Sequence, residues 1–462
     1  MTVAVALGIR FAFLYRAPVF LSGDSESHFL PGFDLARGAG FDPELRRPAG
    51  YALLAAATIA ILGEDLRSMA MAQHLGGVLS AAATCVLGRL CFGWSTGLAA
   101  GLLTAVSGPL LLSEHSIMTE APFGTLLLLT LLTTLLTMKT GRVQWAIPAG
   151  VGLGLCILTR PVAQILLPLL PLAVIALRGR DRRSLVAAAA VLAGCALVVM
   201  PWSARNWVEH GSFTASGGLG RSLTARTIKY DTGFFESDVE PAGPGDLKGE
   251  VRQYVRGARN RIRNGRSVRP VQAGIMSRFG LTQAQSDSLM RQIALDEIAR
   301  RPLYYVAGSI QMAGQILVGR EKEDGLAIRW EQRTDKEWVE QWQARVDHLL
   351  VPTSASEEAE RGVAQRLAAL YQPTALGPTV PLFALVGAII TLFTRETRSG
   401  VLLSATAAAL VLTSAFLDGP VPRYRYPIDP LLTLLATAAV FHAIAALRRV
   451  GSTRGRFVAA TA

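Results

Sequence analysis

The chain has 462 residues, 51% of them apolar, with a positive mean hydropathy of +0.35 and a formal net charge of +12. Apolar runs of roughly 16–20 residues recur along it, which excludes an ordinary soluble enzyme and indicates a polytopic helical membrane protein. The basic residues stand beside these runs, where positive charge reads as cytoplasmic loops and contact with anionic lipid or phosphate, not with nucleic acid.

Hydropathy places apolar segments at 3–20, 49–62, 67–91, 95–113, 121–138, 144–158, 161–178, 184–203, 303–319, 379–395, 400–417 and 429–447. The first lacks a basic leader and a small-residue cleavage site, and reads as a signal anchor. Two segments are unsuited to crossing. Residues 49–62 have the length of an interfacial or re-entrant helix, and 303–319 carries Ser309, Gln311 and Gln315 and reads as amphipathic. Leaving both out gives about ten spans and puts the basic loops at Arg89, Lys139–Arg142, Arg178–Arg183, Arg395–Arg398 and Arg448–Arg456 together on the cytoplasmic side. Segments 21–66, 114–120, 159–160, 204–378 and 418–427 then share the outer side.

The expected fold is an all-α membrane protein: a polytopic helical bundle of about ten spans, with juxtamembrane helices in the first outer loop and a mostly helical outer region. It divides into an N-terminal transmembrane module at 1–203, an extracytoplasmic region at 204–378 and C-terminal transmembrane helices at 379–462. In the outer region, Trp330, Trp338, Trp342 and helically spaced apolar residues suggest amphipathic helices lying on the surface. Gly-Pro-rich 241–249 reads as a flexible loop. The four cysteines, Cys85, Cys91, Cys156 and Cys195, lack metal-type spacing and read as small core residues.

Chemistry-bearing residues collect on the predicted outer side. Asp24 and Glu26, at i,i+2, do not share a helical face, so they suit separate roles. An ionised Asp24 can take a proton from a hydroxyl within hydrogen-bond reach; alternatively it caps the helix that begins at Ser25. His28 is placed to orient Asp24. Glu114, His115 and Glu120 are costly at a membrane boundary without partners. Glu120 also suits the N-terminus of a Pro-led helix, and a divalent metal on Glu114, His115 and Glu120 is left open. Cationic and polar groups complete the set: Arg160 before Pro161, Arg205 and Asn206 after Pro201-Trp202, and Arg423, Tyr424 and Arg425 between two prolines. Guanidiniums match phosphate oxygens in pairs; the alternative for each is snorkelling to lipid headgroups.

The order of these pieces resembles the GT-C class of integral-membrane glycosyltransferases, and within it glycosyltransferase family 39, the protein O-mannosyltransferase and aminoarabinose transferase group. The resemblance lies in Gly23-Asp24-Ser25, Leu35 to Phe41 with Gly38 and Gly40, Arg47-Pro48-Ala49-Gly50-Tyr51, Thr119-Glu120, Leu158 to Pro161, Pro201 to Asn206, and Arg423 to Pro427. It covers residues 1 to about 225 and resumes near 378. Two departures stand out: Pro48-Ala49 replaces a Pro-Pro, and the acids are spaced as Asp24-Ser25-Glu26. The resemblance implies an inverting transfer from a polyprenyl-phosphate sugar donor to a glycan, lipid or protein hydroxyl, on the outer face of the cell inner or plasma membrane. Asp24 would be the base and Glu120 would orient acceptor, sugar or metal. Glu26, His28, Tyr51, Arg160, Arg205, Asn206, Arg423, Tyr424 and Arg425 would contact substrate. No cofactor is fixed by the resemblance, and a divalent metal stays open. A non-catalytic transporter of lipid-linked sugars, or an envelope-polysaccharide assembly protein, is the alternative. The inverted repeat expected of many transporters is not visible.

Overall fold

The computed structural model describes residues 1–16, 19, 24–231, 233–235, 243, 245–263, 268–319, 366–367, 369–373, 376–394 and 397–460, without the side chains of 16, 263, 397, 422 and 450–460. Gly23, the three tryptophans at 330, 338 and 342, and most of 320–378 lie outside the described residues. Among those described there is no strand; one isolated bridge joins Ser107 to Tyr371.

The N-terminal part runs α1 (Thr2–Arg16), α2 (Ser25–Ala36), α3 (Gly50–Leu62), α4 (Leu66–Phe92), α5 (Trp94–Ala105), α6 (Gly108–His115), α7 (Glu120–Thr140), α8 (Ala146–Thr159), α9 (Leu166–Arg178) and α10 (Arg182–His210). A 3₁₀ turn at Pro161–Ile165 leads into α9. The middle part holds α11 (Leu219–Lys229), α12 (Leu247–Gly257), α13 (Arg259–Arg263), α14 (Arg269–Phe279), α15 (Gln283–Arg300) and α16 (Pro302–Val318). The C-terminal part holds α17 (Thr379–Leu392), α18 (Thr397–Leu417), a 3₁₀ turn at Pro422–Ile428, and α19 (Asp429–Ala460).

Among the described residues, six helical segments are long and apolar enough to cross a membrane: 66–92, 120–140, 161–178, 182–210, 398–417 and 423–449. Four shorter apolar helices lie at 2–15, 50–62, 143–159 and 379–392. Their shared core joins Leu87, Phe123, Leu131, Leu153, Leu170, Val191, Leu410 and Leu435. Leu185, Leu192, Leu197 and Met200 of α10 are exposed, as suits a lipid-facing stripe.

Three features differ from the sequence reading. The expected span at 95–113 is broken. Helix α5 stops at Ala105, Gly108 N–H donates to the Tyr371 carbonyl at 2.9 Å, and α6 restarts with Pro109 in its first turn. A 12-residue helix such as α5 rises only about 18 Å, short of the hydrocarbon core. Second, α10 continues through Pro201 to His210, so residue 204, where the outer region was expected to begin, lies within a helix. Trp202 Nε1 donates to the Ala215 carbonyl and Asn206 Nδ2 to that of Thr214, holding the returning chain against this last stretch. Third, the helices of the middle part are not separate surface helices. Ile228, Phe234, Val251, Val255, Ile275, Met290, Ile293 and Tyr305 form a core of their own. Helix α12 begins at Leu247, within the segment read as a loop. Arg226, fully buried, donates to Ser309 Oγ at 3.0 Å and to the Ala415 carbonyl at 2.9 Å, tying this unit to α18.

Candidate active site

Asp24 occupies the cap position of α2, yet its side chain makes no capping bond. Its carboxylate turns to two guanidiniums instead: Arg47 Nη2 donates to Oδ1 at 2.7 Å and Arg423 Nη2 to Oδ2 at 3.0 Å. Arg423 also brings Nε to 3.2 Å from Glu120 Oε1, and Arg160 Nη1 lies 2.8 Å from the same oxygen. One arginine therefore bridges two carboxylates, and a second arginine flanks each. The four segments that supply them are the first loop, the start of α7, the turn after α8 and the turn before α19.

Local sequence explains the convergence. Pro48 holds Arg47 out of helical geometry before α3 begins. Gly50 then sits against the Leu158 carbonyl, where an added Cβ would lie 2.6 Å from that oxygen. This contact brings the start of α3 against the end of α8, so Tyr51 and Arg160 stand at one junction. Arg160 Nη1 donates to Thr119 Oγ1 at 3.1 Å, and its guanidinium covers the Tyr424 ring at 5.0 Å. Glycines at 38 and 40, both with positive φ, make the turn that returns the chain from α2.

Burial differs between the two acids. The Asp24 side chain is 36% exposed and that of Glu120 only 3%. Burial works to raise the Asp24 carboxyl, but the charges and hydrogen bonds of Arg47 and Arg423 outweigh it and hold Asp24 well below the usual carboxylate range. Glu120 has its cations at ion-pair distance, yet neither of its oxygens takes an aligned hydrogen bond among the described residues. Arg423 Nε is likewise without one. Charge more than bond geometry holds this half of the site, so an incoming anion can exchange partners there.

His28 Nε2 lies 2.8 Å from Arg47 Nη1, which must donate, so that nitrogen is unprotonated. Burial first, then the Arg47 charge, push His28 well below its ordinary value, against the opposing pull of Asp24. The His28 ring meets that of Tyr51 edge-on at 5.8 Å, and Tyr51 OH donates to Gln73 Oε1. Glu26, half-buried, stands in the first turn of α2.

Other expected site residues are held elsewhere. Arg205 contacts Asp42, the Phe41 carbonyl and His210, and covers the Trp202 ring; Asn206 is fully buried on the Thr214 carbonyl. Arg425, fully buried, pairs with Asp429 at 2.6 Å and donates to the carbonyls of Leu317 and Pro373. Tyr424 OH donates to Asp418. These residues brace the walls, and no described bond joins them to Asp24 or Glu120.

The metal cluster of Glu114, His115 and Glu120 left open by the sequence does not form among the described residues. Both Glu114 oxygens are taken: Arg10 donates to them at 2.7 and 2.8 Å, and His74 Nδ1 lies 2.9 Å from Oε2. His74 Nε2 faces His115 Nδ1 at 3.0 Å. A guanidinium already neutralises the carboxylate that a cation would need, so these residues do not fit a metal.

Sequence reading missed Arg47, Arg10, Gln73 and His74 as site or supporting residues. Arg10, Gln73 and His74 are polar groups within apolar helices, which was the available signal. Gln73 Nε2 donates to the carbonyls of Glu114 and Ser116, at 2.9 Å each, fixing the segment that leads to Glu120.

Residues 46–204 match the family described as dolichyl-phosphate-mannose-protein mannosyltransferase. The matched segment contains Arg47, Tyr51, Glu120 and Arg160, while Asp24 and Arg423 lie outside it. Several solved structures are similar to the chain. The archaeal oligosaccharyltransferase AglB of Archaeoglobus fulgidus, solved with an inhibitory peptide and a dolichol-phosphate, is 13% identical with a TM-score of 0.47, covering 98% of this chain and 52% of its own. ArnT of Cupriavidus metallidurans, bound to undecaprenyl phosphate, is 16% identical with a TM-score of 0.39, covering 95% and 77%. The chain thus spans about half the length of AglB. No curated protein matches the chain by sequence.

Proposed function

We propose that the chain is an inverting membrane glycosyltransferase that moves a sugar from a polyprenyl-phosphate donor to an acceptor hydroxyl on the outer face of the cytoplasmic membrane. The observation that carries this reading is Arg423, bridging Asp24 and Glu120 with Arg47 and Arg160 at its sides. It is an arrangement of one accessible acid, one buried acid and three guanidiniums.

In this reading the donor phosphate settles on Arg423 and Arg160 and draws Arg423 partly off Asp24. Loss of that partner raises the basicity of Asp24 toward an ordinary carboxylate. Asp24 takes the proton of the acceptor hydroxyl as its oxygen attacks the anomeric carbon opposite the phosphate. The carbon–oxygen bond to the phosphate breaks, and the electron pair leaves on the phosphate, whose growing charge the guanidiniums meet. Glu120, buried and fixed at the first residue of α7, keeps Arg160 and Arg423 aimed at that oxygen. Residues 204–378 serve as the acceptor-facing region, and 1–203 with 379–462 as the membrane body.

The test uses the purified full chain in liposomes with polyprenyl-phosphate sugar. Asp24→Asn should bind donor within a few-fold of wild type and lose transfer by about 10²–10⁴-fold, the usual worth of a general base. Transfer at the wild-type rate by Asp24→Asn would remove the base assignment.

A further inference from the structure

Helix α16 carries no charged residue from Pro302 to Val318, while Arg300, Arg301 and Arg320 bracket it in the sequence. Both of its ends are fastened to the same region. Near its start, Tyr305 OH donates to the Phe416 carbonyl, one residue before the end of α18, and the two rings meet edge-on at 5.7 Å. Near its end, the Leu317 carbonyl accepts from Arg425, in the turn that leads into α19. Helices α18 and α19 hold two of the segments able to cross a membrane, 398–417 and 423–449. The two anchors therefore lie where the chain leaves one such segment and enters the next. The helix between Tyr305 and Leu317 is about 18 Å long, more than half of a hydrocarbon core of about 30 Å. A crossing helix would carry one of the two anchors deep into the bilayer, so α16 runs along the boundary.

Around its axis α16 has three faces. Tyr305, Ser309, Met312, Ala313 and Ile316 are buried; Met312, Ala313 and Ile316 join the core shared by the apolar helices, and Tyr305 joins that of the middle part. Leu303, Val306 and Ile310, at i, i+3 and i+7, are 84%, 40% and 59% exposed. Ala307 and Gly314 share that edge and are exposed too. Tyr304, Gln311 and Gln315, also exposed, form a polar edge about 100° further round. The Tyr304 ring meets that of Phe234 at 5.6 Å, so the polar edge adjoins the middle part and the apolar edge turns away from it. A helix turned to water mixes charge into its exposed face, as α15 does with Arg291, Gln292 and Arg300. An uncharged apolar edge bordered by Tyr and Gln, with arginines in the sequence beyond each end, suits a helix lying between acyl chains and headgroups.

We propose that α16 lies in the plane of the membrane at its outer boundary, with the Leu303–Val306–Ile310 edge seated among lipid acyl chains and the Tyr304–Gln311–Gln315 edge at the headgroups. The choice of the outer leaflet rests on the sidedness proposed above; contact with acyl chains does not. The bilayer thereby supports the turn that carries Arg423, because the Leu317 carbonyl holds Arg425 of that turn.

The experiment places a nitroxide label at one position at a time, through Leu303→Cys, Ile310→Cys, Gln311→Cys or Gln315→Cys, in a Cys85→Ala background. The full chain is held in lipid nanodiscs, and paramagnetic resonance measures collisions of each label with oxygen and with a water-soluble nickel chelate. Oxygen should collide more often than nickel with the labels of Leu303→Cys and Ile310→Cys, and the ratio should reverse in Gln311→Cys and Gln315→Cys. All four native side chains are exposed, so labelling removes little packing. Nickel collisions in Leu303→Cys and Ile310→Cys as frequent as in Gln311→Cys would place the apolar edge in water and overturn the proposal. Protection of those two labels from both reagents would overturn it as well, since protein, from this chain or a second copy, would then cover the edge. A first loop found in the cytoplasm would change the leaflet and leave the acyl-chain contact standing, so the two readings fail separately.

Discussion

Arg10→Met tests how firmly the approach to Glu120 is built. Arg10 and Glu114 are 2% and 4% exposed and share two bonds of 2.7 and 2.8 Å, while Arg10 Nη1 also donates to the Ala105 carbonyl at 2.9 Å. Removing the cation leaves a buried carboxylate facing only His74, and breaking a buried pair in this way costs about 3–5 kcal/mol. Glu114→Gln leaves the guanidinium uncompensated and should cost a similar amount. Removing both charges, in Arg10→Met/Glu114→Gln, removes the uncompensated charge, and the loss should fall to about 1–2 kcal/mol. The coupling energy is then about 4 kcal/mol or more, above the roughly 0.5–3 kcal/mol usual for residues in one network. Equilibrium unfolding of the purified protein in mixed micelles, followed by tryptophan fluorescence, measures each loss. Single losses below about 1 kcal/mol, or losses that simply add, would show that the pair carries no such interaction.

Two further outcomes are expected. Because His28 is held well below its ordinary 6.5, the unfolded chain binds a proton there that the folded chain does not. Stability should fall as pH drops from about 6.5 toward the folded value, by up to about 1.4 kcal/mol per pH unit, and His28→Gln should flatten that slope in the same unfolding assay. If the slope survives the substitution, His28 is not its source. On sidedness, Ala39→Cys, placed in the exposed turn after α2 and made in a Cys85→Ala background, should react with an impermeant thiol reagent on intact cells. Labelling that requires permeabilised cells would put the first loop in the cytoplasm.

Hydropathy located most of the apolar helices because lipid imposes one simple demand, a long run of apolar residues on a hydrogen-bonded backbone. It failed where local breaks count: the Ser107-Gly108-Pro109 interruption lies inside an apolar run and changes its average little. It failed again at α10, where Pro201 and the charged residues after it look like an ending, yet tertiary bonds to Thr214 and Ala215 hold the helix to His210. Asp24 and Arg423 were legible as chemistry-bearing residues from their loops, but not as partners, since they stand 399 positions apart. The Arg10–Glu114–His74 network was not legible as a unit. Each residue appears alone within its helix, and only helix packing shows that they satisfy one another. The core of the middle helices was hidden for the same reason: Ile228, Val255, Ile275 and Ile293 belong to four helices whose mutual packing no single periodicity reveals.

Arg226 lies in α11 yet completes the hydrogen bonding of the Ala415 carbonyl near the end of α18, a few residues before the turn that delivers Arg423. The helices from α11 to α16 are therefore not a detachable attachment. Shortened proteins that lack these helices would surrender the support beneath Arg423 and lose the proposed transfer for reasons unrelated to acceptor choice. Specificity in this protein has to be dissected by single-residue exchange, with Arg226 kept intact.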